Sequence, residues 1–268
     1  MIEQLLPLLS QRVLLGLLVG ARVTGLISVG PVFGAHQVPP RVRAGLVVAL
    51  TVFLTPIVAA TGAARSAGSP VSHSPALFVP ALFSELALGL LSGFACSLLL
   101  EAARLAGAAA NVQMSLGAAH LFDPTAGEQS PFVGQLYYMV ATLVFLEING
   151  HHWLISAVAT SYAHIPLGGA VWRSVLADGM VGALGMVFEM ALRLAAPALG
   201  ALFLTDLGLG LLSRAVPQMN VFIVGIPGKI MVGILVLALA APSVVGALAS
   251  LLGDSRGLLA GLLRALSP

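Results

Sequence analysis

The chain has 268 residues, of which 59% are hydrophobic and only 8% are charged, and its mean hydropathy is +1.04. Soluble domains carry about 25% charged residues, so this composition excludes a water-facing surface over most of the protein and predicts contact with lipid or other protein. The formal net charge of +2 comes from scattered basic residues, which argues against the basic stripe that nucleic-acid binding needs.

Seven apolar segments of helical length follow one another along the chain. A membrane-spanning helix needs about 20 mostly apolar residues. Groups of Pro and Gly separate the segments, and both residue types interrupt helices. The predicted fold is therefore an all-α, polytopic helical membrane protein built from hydrophobic helical hairpins, in one domain over residues 1–268. The segments are about 8–29, 44–60, 76–104, 133–148, 152–165, 175–210 and 229–252. Segment 175–210 is long enough for a span with an extension, or with a break at Pro197.

Eight charged residues lie inside these segments or at their ends. At about 3 kcal/mol for each charge held at mid-bilayer, the group would cost about 24 kcal/mol if it faced lipid. Two local pairs lower this cost, Glu101 with Arg104 at i,i+3 and Glu189 with Arg193 at i,i+4. The others need partners on other helices, on other subunits or in water, and the pattern favours a multi-subunit assembly. The alternative is that most of them lie at interfacial ends and extend to water. The eight are Arg12, Arg22, Glu85, Glu101, Arg104, Glu189, Arg193 and Asp206.

Two stretches share a pattern that is typical of a helix start. Residues 38–48 and 226–236 both contain an aliphatic residue, a proline and, two positions later, a basic residue, followed by an apolar run. The pattern predicts that the proline begins the helix and that Arg41 and Lys229 lie at the aqueous boundary. A structural duplication and a shared helix-start pattern both account for it.

Residue patterns for catalysis or metal binding are missing from the sequence. His151 and His152 are adjacent, so in a helix they point about 100° apart rather than sharing one face as metal ligands at i,i+4 do. The sequence has neither a G-x-S-x-G nucleophile motif nor a Walker loop. We therefore predict no enzyme activity, no cofactor and no metal site.

Residues 107–123 are too polar and glycine-broken to span a membrane, yet too apolar for a free loop. Irregular backbone at membrane depth is tolerated where protein buries it or where it lines a cavity. The segment is thus a candidate to line or plug a pore. The alternative, favoured by the residues alone, is that the helix before it continues into a hairpin. Its notable members are Asn111, Gln113, Met114, Leu116, Gly117, Leu121 and Phe122.

Several motifs between Arg22 and Gly233 occur in a characteristic order. They include Gly30-Pro31-Val32-Phe33-Gly34, Asn149-Gly150-His151-His152-Trp153 and, most distinctively, Arg214-Ala-Val-Pro217-Gln218-Met219-Asn220-Val221-Phe222. In order and spacing they resemble the FliR/SpaR family of flagellar and type III secretion export proteins, and the Asn-Gly-His-His-Trp stretch is more similar to the flagellar branch. The positions carrying the resemblance are Pro39, Arg41, Asn149, Gly150, Pro217, Asn220, Phe222, Pro227 and Lys229.

The resemblance implies a core subunit of the flagellar type III protein export gate, through which unfolded flagellar subunits cross the bacterial inner membrane at the flagellar basal body. It implies assembly with FliP and FliQ into a helical hetero-oligomer that stands partly above the membrane plane, and contact with FlhB, FlhA and membrane lipid. Energy would come from these partners and the proton-motive force.

The resemblance also implies that a loop from this subunit partly closes the pore, at about residues 107–122, which reverses the preference for a hairpin. Our hypothesis is that Met114, Leu116, Leu121 and Phe122 form a deformable apolar seal, helped by the flexible thioether. Deletion of residues 112–119 is then expected to make cells leak ions. The charges predicted to lie inside the assembly are Glu85, Glu101, Arg104, Glu189, Arg193 and Asp206.

Three alternatives remain open from the sequence. A virulence-type export-gate subunit has the same chemistry. A small-solute or ion transporter predicts function from this chain alone and a polar, charge-paired cavity in its own bundle. A non-conducting scaffold predicts assembly without a role in the channel.

Overall fold

The computed structural model describes residues 2–35, 37–60, 75–116, 131–170, 175–218 and 220–265. These residues are almost all helical and contain no strand. The predicted all-α fold of a polytopic membrane protein is confirmed. The helices are α1 (Ile2–Val29), α2 (Pro40–Ala60), α3 (Pro75–Gln113), α4 (Phe132–Glu147), α5 (Gly150–His164), α6 (Val175–Ala215) and α7 (Val221–Ala265).

Five helices, α1, α2, α3, α6 and α7, are long and apolar enough to span a membrane. Helices α4 and α5 are shorter, and they pass the same test only as a pair, bent by 65° at the break between them. The bend is made by Ile148 and Asn149, and Asn149 has a φ of 57°. Asparagine adopts this left-handed conformation more readily than most residues, which explains why the helix is interrupted here and restarts at Gly150.

Prolines inside α6 and α7 overturn two expectations about helix ends. Helix α6 runs through Pro197, so the predicted alternative of a break there is wrong. Helix α7 begins at Val221, and Pro227 is its seventh residue rather than its first. Membrane helices tolerate proline because neighbouring helices, side chains and local adjustments satisfy the freed backbone groups.

The other stretch with the helix-start pattern behaves as predicted. Helix α2 begins at Pro40, and the Pro39 carbonyl accepts hydrogen bonds from the backbone N–H groups of Val42 and Arg43. Arg41 is exposed in this first turn. The same sequence pattern therefore takes different structural positions in α2 and α7, which removes support for a duplication.

Residues of the described chain group into two compact units. Unit 1 holds residues 1–98, 149–183 and 254–268, and unit 2 holds residues 99–148 and 184–253. Helices α3, α6 and α7 contribute residues to both. Three of the four boundaries fall inside helices and the fourth falls at the short α4–α5 turn, so they are not ordinary domain boundaries in exposed linkers. The single domain stays a prediction.

Glycines allow α1 and α3 to cross closely within unit 1. A Cβ added at Gly89 would overlap the Arg22 carbonyl oxygen, and one at Gly93 would lie 2.7 Å from the Leu26 carbonyl oxygen. Gly25 faces the same crossing from α1, where an added Cβ would overlap the Leu86 carbonyl oxygen. Backbone contact of this kind is typical of small-residue helix interfaces in membranes.

Candidate functional site

A bidentate ion pair between α1 and α3 is buried in unit 1. The Arg22 Nε donates to Glu85 Oε2 at 2.6 Å, and its Nη2 donates to Oε1 at 3.0 Å. The two side chains are 2% and 0% exposed. Paired donors of a guanidinium match the two oxygens of a carboxylate, so this geometry is among the strongest available to charged side chains.

Helix α5 and the residues after it satisfy the remaining polar groups of this pair. Arg22 Nη1 donates to Ser161 Oγ at 2.7 Å, and Nη2 also donates to the Ile165 carbonyl at 3.4 Å. The Gly168 N–H donates to Glu85 Oε1 at 2.9 Å. The guanidinium also lies 4.1 Å from the centre of the Tyr162 ring. A buried pair is tolerated when further hydrogen bonds satisfy both partners, so the network links α1, α3 and α5 in one arrangement.

A second charged cluster lies in unit 2, around Asp206 of α6. Asp206 Oδ2 accepts a hydrogen bond from Gln113 Nε2 at 2.9 Å, and Oδ1 forms an ion pair with Lys229 Nζ of α7. The side chains of Lys229 and Asp206 are 18% and 35% exposed. A cavity of about 250 Å³ adjoins the pair and is lined by Ser115, Ile226 and both charged residues, among others. The cavity is large and polar enough to hold water.

The end of α3 is fixed by several contacts in unit 2. Asn111 Oδ1 accepts from the Val133 backbone N–H at 3.5 Å, and Gln113 reaches Asp206. Met114 is 1% exposed. It packs beside Gly233 of α7, where an added Cβ would come within 2.6 Å of the Met114 Cγ. Ser115 has a φ of 60°, which marks the end of the helix.

Part of the predicted pore segment is held by these contacts, and another part lies outside the described residues. Helix α3 extends nine residues past the predicted end at 104, so Asn111 and Gln113 are helical. Gly117, Leu121 and Phe122 lie outside the described residues. The Met114 side chain is buried within the chain. This position suits a residue that anchors the end of α3 better than one exposed in an apolar seal.

The local ion pairs predicted from spacing are confirmed. Arg104 Nη1 lies 3.1 Å from Glu101 Oε1, and Arg193 Nη2 lies 2.6 Å from Glu189 Oε1. Arg104 also stacks over the Tyr138 ring at 4.0 Å. For the other two predicted carboxylates, the partner is on another helix of the same chain. Neighbouring subunits are therefore not required to neutralise these six charges.

The positions that carried the family resemblance are spread over helix starts and turns. Pro39 and Arg41 lie at the start of α2, and Asn149 and Gly150 form the α4–α5 bend. Pro217 and Asn220 precede α7, which contains Phe222, Pro227 and Lys229. Lys229 forms an ion pair with Asp206, one of the charges predicted to lie inside the assembly.

Sequence reasoning missed the partners in the buried network. Arg22 was identified as a charge in an apolar segment, which is a signal for a buried pair, but not as the partner of Glu85. Ser161 and Tyr162 gave no signal, because a serine and a tyrosine in an apolar helix are common. Among the described residues, no three His, Cys, Asp or Glu side chains lie close enough to share a metal ion.

Replacement of Gly233 with Ala is expected to displace the end of α3. The new Cβ would press on Met114, and overpacking of this kind costs about 1–3 kcal/mol, near the low end here because methionine is flexible. Thermal unfolding of the purified protein in detergent measures the loss. Gly228→Ala is the matched control in the same helix, because an added Cβ there meets no neighbouring atom within 4 Å. An equal effect of both changes would contradict the packing against Met114.

Comparison with known proteins gives matches over almost the whole chain. Residues 13–255 match the model of the family described as bacterial export proteins, family 1. The chain is 32% identical over 251 residues to the flagellar biosynthetic protein FliR of Pectobacterium carotovorum subsp. carotovorum, covering 92% of this chain and 91% of the relative. It is 33% identical over 221 residues to the Escherichia coli (strain K12) protein of that name, covering 82% of each. The Yop proteins translocation protein T of Yersinia pestis is 29% identical over 201 residues, or 74% of each chain.

Proposed function

The chain belongs to the bacterial export proteins, family 1, and on that premise we propose that it is a core subunit of the flagellar type III protein export gate in the bacterial inner membrane. The observation that carries the proposal is the extent of the similarity. The family match includes residues from all seven helices, and two relatives named as flagellar biosynthetic proteins cover more than four-fifths of the chain.

Assembly with FliP- and FliQ-type subunits is part of this proposal, as is contact with FlhA and FlhB at the flagellar basal body. The apolar surface of α2 and α7 supports it. Only 11% of the most apolar 18-residue window is buried within the chain, both in residues 40–60 and in residues 223–253. Helices with so few residues buried within the chain can pack against other membrane helices as well as against lipid.

Within this gate, we assign the chain a role in closing the channel. The residues from Asn111 to Met114 hold the end of α3, and the proposed plug is the segment that follows, with Leu116, Leu121 and Phe122 as its apolar members. Unfolded polypeptide would displace it during export. The chain acts in this account without an enzymatic step of its own.

The alternatives differ in what supports them. A virulence-type gate is supported by the similarity to the translocation protein of Yersinia pestis. A transporter is supported by the Asp206–Lys229 pair beside its cavity, since a charge-paired cavity was its predicted feature. We favour export because the similarity to export proteins includes residues from all seven helices.

Replacement of residues 117–122 by a Gly-Ser segment of equal length is expected to make cells leak ions and small solutes, because the apolar plug is removed while the anchor at 111–114 is kept. Efflux of potassium and uptake of an ionic dye measure the leak. The matched control is the same replacement at 62–67, another segment between helices, which should not increase potassium efflux or dye uptake.

Purification of the tagged chain tests the assembly in the same cells. FliP- and FliQ-type chains are expected to co-purify with both the wild type and the 117–122 replacement. Isolation of the chain alone, or only as homo-oligomers, would refute the gate subunit. Co-purification without a leak would refute the plug and leave a scaffold.

A further inference from the structure

An apolar groove lies between α1, α2 and α3 in unit 1. Its volume is about 480 Å³, and its lining includes Gly16 of α1, Val48 and Val52 of α2, and Phe83 of α3. Val48, Val52 and Phe83 are exposed, so these walls of the groove face whatever surrounds the protein. We propose that the groove holds one acyl chain of an anionic phospholipid, whose headgroup is bound by Arg12. The inference goes beyond the proposed function, because it concerns a lipid site in unit 1 and not the export of polypeptide.

The lining of the groove selects a hydrocarbon. Among the described residues that line it, the polar side chains are Thr24 and Thr51. Thr24 Oγ1 donates to the Gly20 carbonyl at 2.6 Å and Thr51 Oγ1 donates to the Val47 carbonyl at 2.7 Å, so both hydroxyl protons are already used. A polar group that entered would lose its hydrogen bonds to water without replacement. An acyl chain has no such bonds to lose.

The length and direction of the groove suit an acyl chain. Along α1 the groove runs from Gly16 to Thr24, which is about 12 Å at a rise of about 1.5 Å per residue. Helix α1 is long and apolar enough to span a membrane, so the groove lies along the direction that acyl chains take. One leaflet contributes about 15 Å of hydrocarbon. A chain that enters past Gly16 can therefore follow the whole groove within one leaflet.

Arg12 identifies the headgroup by its charge and its place. The other seven charged residues of the apolar segments form ion pairs with described residues, whereas the Arg12 side chain has no such partner among them. Arg12 is exposed and lies one turn before Gly16, on the same side of α1. Because helical side chains tilt towards the helix N-terminus, its guanidinium extends past the Gly16 end of the groove.

A lipid phosphate complements this guanidinium in charge and can pair with it through two hydrogen bonds. A headgroup with a net negative charge is preferred, because the ammonium group of a zwitterionic headgroup repels the same side chain. The charge beside the groove thus commits the site to an anionic phospholipid rather than to an apolar helix, which would leave Arg12 without a counter-charge.

Arg41 provides a matched comparison at the other end of the same helix pair. An added Cβ would lie 3.4 Å from the Thr51 side chain at Gly20 and 3.8 Å from the Thr55 side chain at Gly16, so α2 runs antiparallel to α1. Arg41 is exposed in the first turn of α2. It therefore lies beside the end of α1 that is farthest from the proposed headgroup site.

Photoreactive lipids test the role of Arg12. The purified protein, with the subunits that co-purify, is placed in vesicles of equal amounts of phosphatidylglycerol and phosphatidylethanolamine. One lipid or the other carries a diazirine in its acyl chain, and mass spectrometry locates the labelled residues. We expect the anionic probe to label residues 16–24, 47–52 and 82–86 about fivefold more than the zwitterionic probe, the factor that one basic side chain near an anionic surface gives. Arg12→Gln should abolish this preference, and Arg41→Gln should keep it.

Val48→Phe tests whether the groove is the place of the acyl chain. The larger side chain fills part of the groove, so labelling there by both probes should fall. Val42→Phe is the matched control, because Val42 and Val48 are 60% and 61% exposed on the same helix and only Val48 lines the groove. Equal labelling of the groove in these two variants would overturn the assignment of the chain to the groove.

Other results would overturn the lipid site as a whole. Equal labelling of the wild type by the two probes, or an unchanged preference in Arg12→Gln, would remove the headgroup role of Arg12. A groove that neither probe labels in the purified complex would mean that another subunit covers it. None of these results bears on the export role, which the leak and co-purification experiments test separately.

Discussion

Replacement of Glu85 with Ala is expected to destabilise the protein by about 3–5 kcal/mol, because it leaves the Arg22 guanidinium charged, buried and without its acceptor. Arg22 is 2% exposed, so water cannot replace the lost carboxylate. The Gly168 N–H loses its acceptor at the same time. A loss of this size is a large part of the stability of a typical domain, so the variant should be nearly absent from membranes and should unfold at a lower temperature in detergent.

The matched control is Glu189→Ala, which breaks an ion pair of similar length at the protein surface. Glu189 and Arg193 are 60% and 67% exposed, so an unpaired Arg193 is free to extend toward a polar boundary and a smaller loss of stability is expected. The double variant Arg22→Met/Glu85→Leu removes both charges and should recover most of the loss, as apolar replacement of buried pairs does. Should Glu85→Ala be no worse than Glu189→Ala, the buried network would not hold these helices together.

The two kinds of ion pair show what spacing along a sequence can predict. Glu101–Arg104 and Glu189–Arg193 were predictable because residues three or four apart lie on the same face of a helix. Arg22 and Glu85 are 63 positions apart, and Asp206 and Lys229 lie on different helices. Their pairing depends on which helices pack together and at what rotation, which the local pattern of a single sequence does not contain.

Helix ends show a different limit on what the sequence alone can predict. The break between the predicted segments 133–148 and 152–165 was predictable, because Asn149 adopts the left-handed conformation more readily than most residues and Gly150 follows it. Pro197 and Pro227 were poor signals because the cost of proline inside a helix depends on what surrounds it. In water, the carbonyl that proline leaves without a donor can bind water, which favours a break. In a membrane, a helix is the backbone conformation that best satisfies the N–H and C=O groups of the remaining residues, so the helix continues through the proline.

Internal pairing also changes the physical case for an assembly. Unpaired charges in apolar helices pointed to neighbouring subunits, but the described carboxylates of the spanning helices have partners within the chain. Exposed apolar surface and family membership are now what support an assembly. Phe53, Met231 and Leu239 are among the large side chains exposed on α2 and α7. Such surfaces can face lipid or another subunit, so co-purification rather than charge is the decisive observation.

Replacement of Gly89 with Ala is expected to cost more than about 3 kcal/mol, beyond the usual 1–3 kcal/mol for overpacking. The added Cβ would overlap the carbonyl oxygen of Arg22 and press on the Leu26 backbone N–H group, from which it would lie 2.9 Å away. These are backbone atoms of a helix, so they cannot turn aside as a side chain does. The helices would have to separate, and Arg22 and Glu85 would then be drawn apart. Loss of the protein from membranes and a lower unfolding temperature measure the effect.

Gly200→Ala is the control that separates helix packing from helix propensity. Gly200 also lies inside a long apolar helix, but an added Cβ there meets no neighbouring atom within 4 Å. Alanine should stabilise that site by about 0.5–1 kcal/mol, because glycine loses more conformational freedom on folding. The same chemical change should thus have opposite signs at the two positions. A stabilising effect at Gly89 would mean that α1 and α3 do not cross in backbone contact, and the buried pair between them would lose its basis.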